Sequence, residues 1–110
     1  MDSIKFEVQG SEVQPYQVVF NKKGNSLNAH CSCRAGQVGQ YCKHRLRIIM
    51  GETEGITSGN KEAVLEIQKW FKGTDVEEAL KAFRESESRL EEAKNEVVIR
   101  KKRLARALGN

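Results

Sequence analysis

Three cysteines and one histidine, Cys31, Cys33, Cys42 and His44, fall within fourteen residues in the order Cys-x-Cys then Cys-x-His, and the chain has no other cysteine. Such a cluster in a cysteine-poor chain reads first as a metal site. Three thiolates and one imidazole complete a tetrahedral shell for a single structural Zn²⁺, with S and N donors at ~2.3 and ~2.0 Å. A complete shell leaves no coordination position for a reactive water, so an enzyme is not expected. The formal charge of three thiolates and Zn²⁺ is −1, which Arg34 and Lys43 are placed to offset. Ser32, between the first two cysteines, has no base or orienting acid beside it in sequence and is not read as a nucleophile. His30 adjoins Cys31, but neighbouring side chains on a strand point to opposite faces, so His30 is expected to face away from the metal. An iron–sulfur cluster is the rival reading. One cluster type also begins Cys-x-Cys, but its histidine lies farther beyond the last cysteine, in a Cys-Asp-Gly-containing segment that is missing here.

The surrounding elements must bring these four donors together. Ile4, Phe6 and Val8 alternate with polar residues, as do Tyr16, Val18 and Phe20, and both segments read as half-buried strands. Asn21 to Asn25 has turn composition, and Ser26 to Cys31 returns as a third strand that delivers Cys31 and Cys33 at its exit. Gly36 and Gly39 mark a flexible loop. Cys42 to Met50 reads as a short helix with Leu46, Ile49 and Met50 on one face and Gly51 as its stop. The expected fold is α+β: a small zinc-stabilised β-hairpin and short helix (ββα) over residues 1–52, a polar linker over 53–60, and a helical region over 61–110. Asn60 is expected to cap a helix from Lys61 to about Lys72, with Val64, Ile67 and Phe71 as its buried stripe. Gly73 ends it, and Thr74 to Glu77 fits a capping box.

The last helix should be long and amphipathic. Val76, Phe83, Leu90, Val97 and Leu104 repeat every seven residues, and the residues three further on are small (Ala79, Ser86, Ala93, Ala107) except Arg100. Over roughly residues 75–108 such a helix spans ~50 Å, at about 1.5 Å per residue. Its stripe therefore calls for a partner helix, either the 61–72 helix, a second copy of the chain or another protein.

The Cys-x-Cys and Cys-x-His pairs, separated by Arg34 to Tyr41 and preceded by a Tyr16–Phe20 hairpin with a Gly24 turn, resemble the SWIM-type zinc finger. The resemblance covers roughly residues 14 to 51. It implies a strand–strand–helix scaffold with Cys31, Cys33, Cys42 and His44 as zinc ligands. It also implies an association with DNA or with protein partners, since the family occurs in chromatin-remodelling ATPases, transposases, ubiquitin-linked kinases and recombination-accessory proteins. Nothing in the chain resembles the ATPase, transposase or kinase parts of those proteins, which leaves a finger with a helical arm, the plan of an accessory or adaptor protein.

Charge narrows the partners. The net charge is +4, but Arg100, Lys101, Lys102, Arg103 and Arg106 account for all the excess, leaving fourteen of the nineteen cations against fifteen acids. This cluster, with Lys22 and Lys23 at the hairpin tip and Arg34, Lys43, Arg45 and Arg47 around the cysteines, is the candidate nucleic-acid surface, for DNA rather than RNA. The same cluster also suits the negative end of a helix dipole. Aromatic residues are few, which disfavours recognition of single strands by stacking. No apolar run reaches membrane-spanning length. The N-terminal residues carry no leader pattern, and the odd cysteine count is no disulfide framework, so the expected compartment is reducing: cytoplasm, or nucleus in a eukaryote.

Overall fold

The computed structural model describes residues 2–109, which divide into one compact unit ending at Glu77 and a second beginning at Glu78. In the first unit, β1 (Asp2–Val8), β2 (Tyr16–Lys23) and β3 (Ser26–Cys31) form an antiparallel sheet in the order β1-β2-β3. The α+β expectation is met, with β1 as a third strand beside the hairpin. Register places Ile4 opposite Phe20, Phe6 opposite Val18, and Val18 opposite Cys31. The alternation read from the sequence thus lines one face with Phe6, Val8, Val18, Phe20, Leu27 and Cys31, all buried. Phe6 and Phe20 meet edge to face at 6.1 Å. The turn is tighter than its composition suggested. Lys23 pairs with Ser26, so only Gly24 and Asn25 form the loop, and Gly24 takes the positive φ of 57° that a two-residue hairpin demands.

Four helices follow: α1 (Arg34–Gln37), α2 (Lys43–Ile49), α3 (Val64–Phe71, preceded by a 3-10 turn at Lys61–Ala63) and α4 (Asp75–Ala107). α2 lies against both β3 and α3 and buries Ile48 and Ile49. This corrects the expected apolar face. Contact on two sides selects adjacent residues, while Met50, where the helix ends, is 50% exposed. Val64 and Ile67 form the buried stripe of α3, with Phe71 only half-buried.

The 53–60 segment is bound to the sheet. The Gln9 and Thr57 amides donate to Gly55 O and Glu7 O, a bridge joins Val8 to Ile56, and Ile56 is buried. Asn60 does not cap the following helix; its side chain donates to Lys5 O instead, which pins the segment to β1. The capping box at α4 forms with a shift. Thr74 Oγ1 accepts from the Glu77 amide, while the Glu77 carboxylate takes the Gly73 N–H.

No residue of α4 is buried, and residues 81–109 are exposed throughout. Among the described residues no helix is long and apolar enough to cross a membrane. Because Ile56 packs as a core residue, Ile56→Ala should cost about 2–4 kcal/mol in urea unfolding, whereas Val13→Ala, at a fully exposed site, should cost under about 0.5 kcal/mol. Equal effects would show that the 53–60 segment adds nothing to the core.

Candidate metal centre

Cys31 ends β3 with its side chain on the buried face, because Leu27, Ala29 and Cys31 alternate inward while Asn28 and His30 point out. His30 is accordingly exposed and lies apart from the cluster. Ser32 extends the hairpin past β3. Its amide donates to Gln17 O and its Oγ accepts from the Gln17 amide, so the residue between the two cysteines holds the strand end in place. Cys33 caps α1, its sulfur accepting from the Gly36 amide at 3.3 Å. Cys42 stands at the N-cap of α2, and His44 lies in that helix's first turn. The segment read as a flexible loop is therefore a short helix with a defined cap. Gly36 packs so closely on Cys31 that a Cβ there would collide with the Cys31 carbonyl oxygen and come within 2.8 Å of its Cβ.

The four donor atoms lie within 4.8 Å of one another. Cys33 Sγ and Cys42 Sγ are 3.4 Å apart, and His44 Nδ1 is 3.7 Å from both Cys31 Sγ and Cys42 Sγ. A tetrahedron with the bond lengths of a zinc–cysteine–histidine site has S···S edges of ~3.8 Å and S···N edges of ~3.6 Å, so the donor set fits one ion. Nδ1 is the nitrogen turned inward. The outer side of the ring rests against Tyr16, with centroids 4.8 Å apart, and Tyr16 is held by a 3.2 Å hydrogen bond to Ser11. Gly10 leaves room for this tilted contact, since a Cβ there would fall 2.5 Å from the Tyr16 ring and 3.3 Å from His44 Nε2. Gly10, Tyr16, Ser32 and Gly36 form the support of the cluster. Their roles depend on contacts between distant segments, so spacing alone did not reveal them.

Cys31, Cys42 and His44 are shifted from their ordinary values, in different directions. Burial, reinforced by the neighbouring thiols, pushes the Cys31 thiol up to about 12. Burial also opposes ionisation of Cys42, but the Arg45 amide, the neighbouring thiols and the His44 amide together hold its pKa below the ordinary value. His44 is held below the usual imidazole value by burial, then by the charges of Lys43 and Arg47.

The cations read as a phosphate surface occupy several places. Arg34, Lys43 and Arg47 are exposed around the cluster, and Lys23 is exposed at the hairpin tip. Lys22 is half-buried, and its ammonium donates to the Gly24 carbonyl. Arg45 acts as a strut, its guanidinium donating to Ala29 O at 3.0 Å and Gln40 O at 2.7 Å. Arg100, Lys101, Lys102 and Arg103 lie on the exposed end of α4, with Arg100 paired to Glu96 at 3.3 Å.

The family model of the SWIM zinc finger matches residues 16–50, the segment from the start of β2 to the end of α2. All four clustered donors fall inside the matched segment. No curated protein and no solved structure matches the chain.

Two outcomes follow from this geometry. Gly36→Ala should lower stability by roughly 2 kcal/mol or more and weaken Zn²⁺ uptake, because the obstructing atoms belong to the backbone and the Cβ of Cys31. Chelator competition and thermal unfolding would measure both, and an unchanged variant would contradict the packing. Second, a metal must displace the Cys31 proton at any pH below its raised value. Zn²⁺ affinity should therefore rise at least about tenfold per pH unit between pH 6.5 and 8. His44, held low, adds no proton loss over the upper part of that range. A pH-independent affinity would refute the protonation state given for Cys31.

Proposed function

We propose that the chain is a non-catalytic zinc-binding module of SWIM type, in which one structural Zn²⁺ is held by Cys31, Cys33, Cys42 and His44 and the surrounding cations bind nucleic-acid phosphates. The convergence of four donors inside the family segment supports the zinc reading. The ion would tie the end of β3 to the first turn of α2, and its closed shell suits a scaffold rather than a reaction. Metal affinity in such a site is folding free energy. Cys33→Ser or His44→Ala should therefore unfold the hairpin and α2 while leaving much of the helical signal of α4, as read by circular dichroism and metal content. Native structure retained in strong chelator would sink the zinc reading.

Exposed Arg34, Lys43 and Arg47 around the cluster, Lys23 at the hairpin tip and the five cations near the end of α4 support the phosphate reading. Duplex DNA is the favoured ligand, since few aromatic rings are available for stacking on unpaired bases. Arg45 is left out of this surface because two carbonyls already hold its guanidinium. Binding should be steep in salt, losing about tenfold or more between 50 and 200 mM. An electrophoretic shift assay showing no complex at micromolar protein in low salt would remove this reading while leaving the zinc module intact.

The exposed seven-residue stripe of α4 favours a second reading, an adaptor that joins other chains through residues 75–108 without nucleic acid. The two are compatible, and mutation of the stripe separates them. Loss of partner association with DNA binding retained assigns the helix to protein contact. A reducing compartment, cytoplasm or nucleus, suits three reduced thiols.

A further inference from the structure

Phe83, Leu90, Val97 and Leu104 occupy successive seventh positions of α4 and are 42–63% exposed. Placing them at heptad position a puts Ala79, Ser86, Ala93 and Arg100 at d, and the large and small residues decide how such a stripe can pair. In a parallel pair, a faces a and d faces d, so layers of two large residues alternate with layers of two small ones, and Arg100 faces Arg100 of the other copy. In an antiparallel pair, a faces d, and every layer except that of Arg100 joins a large residue to a small one.

We infer that α4 is an antiparallel self-association element in which two copies of the chain pair along residues 79–104 about a two-fold axis between residues 91 and 92. This rests on the reading of α4 as an interaction helix and goes further by naming the partner and its direction. One register satisfies every layer: Ala79 with Leu104, Phe83 with Arg100, Ser86 with Val97, and Leu90 with Ala93, each occurring twice. Arg100, the one large d residue, then lies over the Phe83 ring of the second copy, where a guanidinium is attracted to the aromatic face. Charge agrees independently. Between Glu77 and Glu96 there are seven glutamates and four cations, whereas from Val97 onward there are five cations and no acid. Antiparallel pairing sets the basic end of one copy beside the acidic stretch of the other, whereas parallel pairing would lay the two basic ends together.

The flanking positions agree as well. Antiparallel helices bring e beside e and g beside g, which gives Glu87 with Lys94 and Arg89 with Glu96, both opposite in sign and both repeated by symmetry. In the parallel register Arg89 would meet Lys94. The surface of α4 carries a shallow, mostly apolar depression lined by Ala93, Glu96, Val97, Arg100, Lys101 and Leu104. These six residues are the two adjoining four-residue holes that receive knobs from a paired helix. In the stated register the knobs are Ser86 and Phe83 of the second copy. Val98 and Ile99, also half-exposed, lie outside the seam.

Sedimentation equilibrium of the full zinc-loaded chain tests this. A seam of 26 residues is ~39 Å long and buries roughly 1,000 Å² in total, near the lower edge for a stable interface, so protein at tens of micromolar should be used. The expected mass is twice 12.4 kDa. Leu90→Asp should give a monomer. Lys94→Glu should weaken the dimer roughly tenfold by setting a second carboxylate against Glu87 of the other copy, and Glu87→Lys added to it should restore the affinity to within about threefold. A parallel dimer gives the opposite sign, because Lys94→Glu would then relieve a clash with Arg89, and Glu87→Lys would not rescue. A monomeric wild type, a Lys94→Glu variant that binds as tightly or more tightly, a double variant that fails to recover, or a dimer that survives Leu90→Asp would each overturn the proposal. A wild-type monomer would leave α4 free to serve a different protein, so the adaptor reading fails separately, and zinc content measured on the same samples reports the finger independently.

Discussion

The first unit holds three sulfurs and one ring nitrogen within 4.8 Å of one another, the constraint its other local contacts serve. The thiols are buried side by side, and the Cys31 proton is retained up to about 12. With an ion the same crowding becomes attractive, because each donor satisfies part of one coordination shell. A cross-link of this kind suits a core of this size. The fully buried large side chains are few, with Phe6, Phe20, Ile48 and Ile67 the largest among them.

The helper residues make sense only in that light. Ser32 continues the strand pairing through its side chain, so the chain can leave the sheet between Cys31 and Cys33 without leaving the Gln17 amide unpaired. Gly36 lets a helical turn settle on the Cys31 backbone, and Gly10 lets Tyr16 rest against the His44 imidazole. Arg45 links the β3 backbone to the loop before α2. The motif thus extends beyond its four donors to small and hydrogen-bonding residues that hold the donors at tetrahedral spacing.

α4 follows different physics. It begins with a satisfied N-terminus at Thr74, and its apolar stripe from Phe83 onward is exposed. A helix of that length gains little from propensity alone and most from a packed face. Its alternation of large and small residues, together with the separation of acid from base along its length, supplies the features that choose one packing direction over another.

Period and donor type were legible in the sequence. Residues 26–31 read as a strand, the cysteine–histidine cluster read as a metal site, and residues 75–108 read as one long helix, because each is specified by spacing within a short stretch. Several features depended on segments far apart in the chain. Residues 53–60 looked like a linker, since only β1 provides the carbonyls and amides they bond. Met50 looked like a core residue, since only the joint contact of β3 and α3 selects Ile48 and Ile49. Arg45 and Lys22 looked like free cations, since the carbonyls they bond belong to a folded backbone. Local chemistry is written into the order of residues, but burial and hydrogen-bond partnership between distant segments exist only once the chain has closed on itself.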